Sequence, residues 1–410
     1  MAEPLGTRAV LAIDDFRRLW MAQVVSFFGD AMTMMALLFL VQRTLGDATS
    51  TAGVLIAGAL PFLLVGLVAG VWVDRLDRKH VMIWSDVIRA ALVMTIPFVG
   101  ADRIWLLYAL VFVHSSVGTF FSPARTALVP RVVPAAGLPA ANGLGEATRP
   151  VATVLGTAVA GIVVGLFDGF FVVFALDALT FLVSAFLVAR IVTSTAPDAD
   201  QPTGVATIFS EMRSGFRAIL GSRTLLAVLM GGGVAMFGIG ATNALMVPFV
   251  VGDLGLAETW FGLLEGAQTV GLVLAGASVA WLTVRVGSRR LVVIGLAGAG
   301  TAVAAFSTVG GVAALCALMF GLGLVIAPTT ASIATILQTE TPPKLLGRVA
   351  SSFNAVVTGA SVGSMAIAAA LAGVIGLRGV FIASGAVAVL AAAVTAMLFG
   401  RAEEPVPEPA

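Results

Sequence analysis

The stretch Gly70-Val71-Trp72-Val73-Asp74-Arg75-Leu76-Asp77-Arg78-Lys79 decides the fold class. Five charged side chains, Asp74, Arg75, Asp77, Arg78 and Lys79, crowd its C-terminal end. One apolar run, 51–73, leads into them and another, 81–99, leaves them. Each run has the length of about 20 residues that a helix needs to cross the hydrocarbon core of a bilayer. A short charged turn between two such runs reads as a loop at a membrane surface. The whole chain has the matching composition: of 410 residues, 59% are hydrophobic and 11% charged. Soluble globular chains run near about 45–50% apolar and about 25% charged. So few charges cannot cover a water-exposed surface. A soluble enzyme, a disordered protein and a secreted disulfide scaffold are excluded, and a polytopic membrane protein is left.

Outward from the loop, twelve runs of spanning length follow one another: 17–41, 51–73, 81–99, 104–121, 143–166, 170–192, 225–250, 259–284, 291–309, 312–336, 349–375 and 380–400. Turn residues or charges separate them, among them Gly46-Asp47, Asp168-Gly169, Gly252-Asp253, Gly310-Gly311 and Pro342-Pro343. With the N-terminus inside, 20 of the 23 Lys and Arg fall on inner segments and adjoining helix ends, Arg89 and Arg125 included. Only Arg43, Arg103 and Arg378 fall on outer loops. This positive-inside bias places both termini in the cytoplasm, and the protein is expected to be a multi-pass protein of a bacterial-type inner membrane. The N-terminus lacks a cleavable signal pattern, so the first span is expected to direct insertion.

The chain is expected to divide into a six-helix half over 1–192, a cytoplasmic linker over 193–224, a second six-helix half over 225–400 and a disordered tail over 401–410. Within the linker, Ile208, Phe209, Met212, Phe216, Ile219 and Leu220 recur at helical spacing opposite Glu211, Arg213 and Arg217. This predicts an amphipathic helix on the inner membrane surface. The halves repeat weakly: Gly165-Leu166-Phe167-Asp168-Gly169-Phe170 parallels Gly376-Leu377-Arg378-Gly379-Val380-Phe381. The offset is about 210 residues, or six spans, so both halves share one orientation.

Several chemistries are excluded. The two lysines, Lys79 and Lys344, lie in no phosphate-cradling loop, so the chain has no ATP site of its own. With His80 and His114 the only histidines and Cys316 the only cysteine, no metal site or internal disulfide is expected. No nucleophile–base pair can be assembled, so the chain is not expected to be an enzyme. It is expected to need no cofactor and no nucleic acid, and to act as a monomer in the lipid bilayer.

Two parallel six-helix halves around this loop resemble the major facilitator superfamily of transporters. Its signature is G-x-x-x-D-R-x-G-R-[RK], and Asp77 stands where the common residue is glycine. Asp74 can cap a facing helix N-terminus, and Arg78 can pair with Asp86. The resemblance implies an all-α major facilitator fold of 12 transmembrane helices. It also implies that Gly70, Asp74, Arg75, Arg78, Lys79 and Asp86 form a latch closing the inner ends of the halves. A second match, Phe121-Ser122-Pro123-Ala124-Arg125 with Ala127-Leu128, Pro130, Val133-Pro134, Leu138 and Ala141-Asn142, resembles the drug–proton antiporter subgroup with the macrolide efflux proteins and the enterobactin exporter. Phe16-Arg17-Arg18-Leu19-Trp20 and Ser85-Asp86 with Arg89 resemble the same subgroup. Gly156-Thr157 departs from its usual Gly-Pro, which weakens the case for antiport.

Ionisable groups at membrane depth are functional suspects. Asp30 lies on one helix face with Gln23, Ser26 and Thr33, a polar stripe suited to a water-filled cavity. It reads either as a proton or substrate site or as a structural hydrogen bond between helices. Glu265, Glu146 and His114 are the other proton candidates. Glu146 and Arg149 are spaced as an ion pair or gate, and His114 could relay protons or simply pack. Asp177 lies in a span that the resemblance makes peripheral. Asn243, Gln268, Asn354 and Thr358 join Gln23, Ser26 and Thr33 as cavity candidates. The implied function is proton-driven efflux of hydrophobic or amphipathic molecules, with the proton gradient as energy source. Dedicated export of a siderophore or other metabolite, and a non-transporting sensor, are the alternatives. The physics alone serves uptake as well as export.

Overall fold

The computed structural model describes residues 5–99, 103–193, 205–343 and 345–402. Among these, every regular element is helical. In chain order they are α1 (Thr7–Leu11), α2 (Asp14–Leu45), α3 (Ala48–Leu64), α4 (Gly66–Arg75), α5 (Arg78–Thr95), α6 (Ile104–Val132), α7 (Leu138–Phe167), α8 (Phe170–Ala189), α9 (Val205–Gly221), α10 (Arg223–Val247), α11 (Phe261–Val286), α12 (Ser288–Ala305), α13 (Val312–Glu340) and α14 (Leu346–Ala402).

Ten helices among the described residues are long and apolar enough to cross a membrane. The expected twelve spans differ from these at two places. The 57-residue α14 would be about 85 Å long if straight, far more than one bilayer needs. Gly376 breaks it, with φ 73° and ψ 165°, a conformation that only a residue without Cβ adopts readily. The run 51–73 is instead interrupted at Val65, after Pro61, so it divides between α3 and α4. The count of twelve requires α14 to cross twice and α3 with α4 to cross once.

Two compact units emerge, one of Met1–Gly46, Gly53–Val205 and Ala257–Leu263, the other of Asp47–Ala52, Ala206–Leu256 and Leu264–Ala410. In the first, α2 packs on α7 and α8, and α5 packs on α6 and α8. Its core includes Phe16, Leu19, Met82, Phe121, Leu128 and Val188. In the second, α10 packs on α14, and α12 packs on α13 and α14. Its core includes Val228, Val292, Leu296, Ile336, Val349 and Phe353.

The first unit takes in the short turn Glu258–Trp260, which settles on α7. A Cβ on Gly161 would stand 2.6 Å from the Glu258 carbonyl oxygen, so only glycine admits the turn there. Arg43 fastens the same place: its Nε donates to Glu258 Oε1 at 2.7 Å and its Nη1 to Asp168 Oδ1 at 2.6 Å. Gly161→Ala is therefore expected to destabilise the protein by about 1–3 kcal/mol, read as a lower thermal midpoint in detergent.

The charged loop has its own local order. Asp77, where the superfamily's common residue is glycine, accepts hydrogen bonds from the backbone N–H groups of Lys79 and His80 and so caps α5. Lys79 Nζ donates to the Ile191 carbonyl at 2.8 Å, and Arg18 Nη1 to the Arg190 carbonyl at 2.7 Å. Asp15 accepts from the backbone of Val192 and Thr193. The loop's lysine thus serves the C-terminal end of α8. The surroundings of Gly70, the Asp74 side chain and Lys344 fall outside the described set.

The expected linker helix is present as α9, but not as a free surface element. The Ser352 hydroxyl of α14 donates to the Met212 carbonyl at 3.2 Å, Gly215 lies against the Arg348 backbone, and Ile219 is buried. The linker residues 194–204 and the tail 403–410 lie outside the described residues.

Candidate functional site

A cavity of about 490 Å³ opens within the first unit. The polar stripe of α2 lines it with Gln23, Ser26, Asp30 and Thr33, as the spacing predicts. From α6 come His114 and Arg125, from α7 Glu146, Arg149 and Thr153, and from α5 Arg89.

Arg89 is the hub. Its guanidinium is almost fully buried and donates through Nη2 to Asp30 Oδ1, while Asp30 keeps 32% of its side chain exposed to the cavity. The guanidinium also stacks over the Phe181 ring, 4.1 Å from its centroid, a cation–π contact that strengthens away from water. Gly118 of α6 admits it: a Cβ there would lie 3.3 Å from Arg89 Nε. Arg89 counted among the inner-face anchors in the sequence, and this is a correction. It stands 11 residues along α5, about 16 Å from the helix start at a rise of 1.5 Å per residue. Arg125 also reaches the cavity, where its Nη1 donates to Gln23 Oε1 at 2.8 Å.

Two more carboxylates surround the pair. Asp177 of α8 is fully buried, accepts from Thr180 Oγ1 at 3.0 Å, and lies within electrostatic reach of Asp30 and Arg89. Gly29 makes this possible, because a Cβ there would collide with the Asp177 and Thr180 side chains. Asp86 of α5 is also fully buried, beside Ser184 and within reach of Arg89 and Asp30. The expected Arg78–Asp86 pair does not form: eight residues along a helix separate the two by about 12 Å. Asp177, read as peripheral, in fact reaches the cavity's charge centre. Neither Asp86 nor Asp177 makes an ion pair among the described residues.

His114 borders the cavity edge-on to Phe181, with ring centroids 5.6 Å apart, and its buried Nε2 has no hydrogen-bond partner. The expected Glu146–Arg149 pair does not close. Glu146 lies within electrostatic reach of Arg125, and Arg149 lies over Phe27, 5.7 Å from the ring centroid. Glu265 and Gln268 belong to the second unit, where Glu265 makes no hydrogen bond or ion pair among the described residues. Asn354 lines a separate cavity of that unit, and Asn243 and Thr358 border neither cavity.

Ten apolar helices of spanning length among the described residues, with a charged cavity inside one unit, are the architecture of a polytopic membrane protein of the major facilitator fold. The sequence profile described as "Transmembrane secretion effector" matches residues 5–405. The chain belongs to that family. Macrolide efflux protein A of Streptococcus pyogenes is 28% identical over 270 residues, covering 63% of this chain and 66% of that protein. The putative bacilysin exporter BacE of Bacillus amyloliquefaciens is 32% identical over 198 residues, 48% of this chain and 49% of that protein. The matched stretches thus span just under two thirds and about half of these relatives. Among solved structures, a variant of the nucleoside transporter NupG aligns with a TM-score of 0.77 at 13% identity, over 94% of this chain and all of that one. That likeness concerns the fold alone.

Proposed function

We propose that this protein exports hydrophobic or amphipathic small molecules by alternating access, driven by protons carried on the Asp30–Arg89–Asp86–Asp177 cluster. The observation that carries the reading is a charge count. One buried guanidinium faces three carboxylates, two of them closed off from solvent. Full ionisation would bury net negative charge in a low-dielectric site, which proteins avoid by holding a proton there. Asp30, the one cluster carboxylate open to the cavity, is the entry point for that proton. Protonation of Asp30 weakens its hold on Arg89, which then turns to Asp86 or Asp177. A proton that binds one conformation better than the other shifts their balance by that difference in affinity. The arginine-rich end of the bundle is read as the cytoplasmic face, with both termini on it.

The test is accumulation in everted vesicles from an efflux-deficient host, across erythromycin, a lipophilic cation and a neutral dye. Uptake driven by a proton gradient and collapsed by a protonophore is expected for at least one probe. Uptake untouched by the protonophore would overturn proton coupling. Dedicated export of one secondary metabolite is the second reading, favoured by the similarity to a putative bacilysin exporter. It predicts that every panel probe is refused while deletion of the gene abolishes secretion of one metabolite.

A further inference from the structure

The second unit holds a cavity of a different kind, about 400 Å³, between α10, α12, α13 and α14. No charged side chain lines it. Its walls are Met236, Leu296, Ile333, Leu337, Phe353 and Val357. The Thr329 and Thr330 hydroxyls in the lining are already committed to their own helix, donating to the Val325 carbonyl at 2.6 Å and the Ile326 carbonyl at 3.0 Å. The Asn354 amide lines the cavity, is exposed to it, and has no hydrogen-bond partner among the described residues. Glu146, by contrast, lines the charged cavity of the first unit. The first cavity thus carries charged groups and the second a neutral amide.

We infer that this cavity is a binding site for an uncharged, largely hydrocarbon small molecule that carries one hydrogen-bonding group. The inference deepens the export reading and rests on it for its physiological meaning. The volume suits a ligand of drug size, and an apolar lining with one convergent polar group is how such sites are built. Water would find only the Asn354 amide and the acceptor lone pairs of two threonine hydroxyls against an otherwise apolar lining. A cation would find no counter-charge and would lose its hydration for nothing. Met236 supplies a wall that can reshape around ligands of different outline. The two units then divide the work, with the proton held in the first and the cargo's apolar body in the second.

The experiment uses the full-length protein in phospholipid nanodiscs with adamantane diazirine, a neutral photoreactive probe, and maps labelled peptides by mass spectrometry. Label is expected to concentrate on 295–299, 326–337 and 350–357 despite the surrounding lipid. Ala334→Trp, which places bulk at an exposed lining position, and Asn354→Leu, which removes the polar group, test the site independently. A displacing competitor with a hydrogen-bonding group, the uncharged 1-adamantanol, is expected to lose roughly 2- to 10-fold in potency with Asn354→Leu. Labelling is expected to fall about as much with Ala334→Trp, and to be unchanged with Phe167→Leu at an exposed position of the first unit. Label spread evenly over lipid-facing helices, unchanged labelling in Ala334→Trp, or displacement by tetraphenylphosphonium in preference to 1-adamantanol would overturn the inference. Site-specific labelling together with transport indifferent to protonophores would retain this site and remove the proton-coupling reading instead.

Discussion

Arg89→Met is expected to be the most damaging single substitution in the first unit, costing about 3–5 kcal/mol of stability. The arginine is buried, it is the cation paired with Asp30, and two further carboxylates lie within its electrostatic reach. Methionine has a similar volume, so lost packing is not the main cause. What is lost is the compensating charge, together with the contact over Phe181. Adding Asp30→Asn should recover part of the loss, because it removes the carboxylate left without its cation. The coupling in the double-mutant cycle is expected at about 0.5–3 kcal/mol. Thermal unfolding of the purified variants in detergent measures all corners of the cycle. Additive effects would mean that the two side chains are neighbours without being energetic partners.

The second large effect concerns transport. Asp86→Asn with Asp177→Asn keeps shape and hydrogen-bonding capacity while removing two ionisable groups from the cluster. The expected result is a folded carrier that still exchanges substrate down its gradient. Proton-driven accumulation should fall by roughly 10- to 100-fold, the range of ordinary coupling free energies. Glu265→Gln serves as the comparison, since Glu265 belongs to the second unit. If Glu265→Gln abolishes proton-driven accumulation and the aspartate pair leaves it intact, the coupling residue lies outside the cluster.

Much of the first cavity was legible in the sequence because helical spacing is local information. Gln23, Ser26, Asp30 and Thr33 share a face by their numbering alone, and the structure places all four on one cavity. The same reasoning found Glu146 and Arg149 on α7. The partners of Asp30 were not legible, since they are set by approach between helices. Gly29 and Gly118 allow Asp177 and Arg89 to come in, and nothing in a single chain marks a glycine as the one that faces a charge. Arg89 was misread as an inner-face anchor. Its distance along α5, about 16 Å from a helix start that carries Arg78 and Lys79, was the available signal. Asp86 was assigned to the charged loop by resemblance, although its separation from Arg78 along the helix already argued against a pair. The amphipathic pattern of α9 was legible in the sequence, but the approach of Met212 and Gly215 to the Arg348–Ser352 turn of α14 was not. Gly376 stood where two spans were expected to part, and its positive φ breaks α14 within 375–380.

The central claim is that the Asp30–Arg89–Asp86–Asp177 cluster carries the transported proton. It is tested most directly by proton flux in proteoliposomes with an entrapped pH dye, using a probe that the vesicle panel shows to be transported. Addition of that probe to the native protein is expected to move protons opposite to it, and the Asp86→Asn, Asp177→Asn variant is expected to move the probe with no proton flux. Undiminished proton flux in that variant would contradict the account.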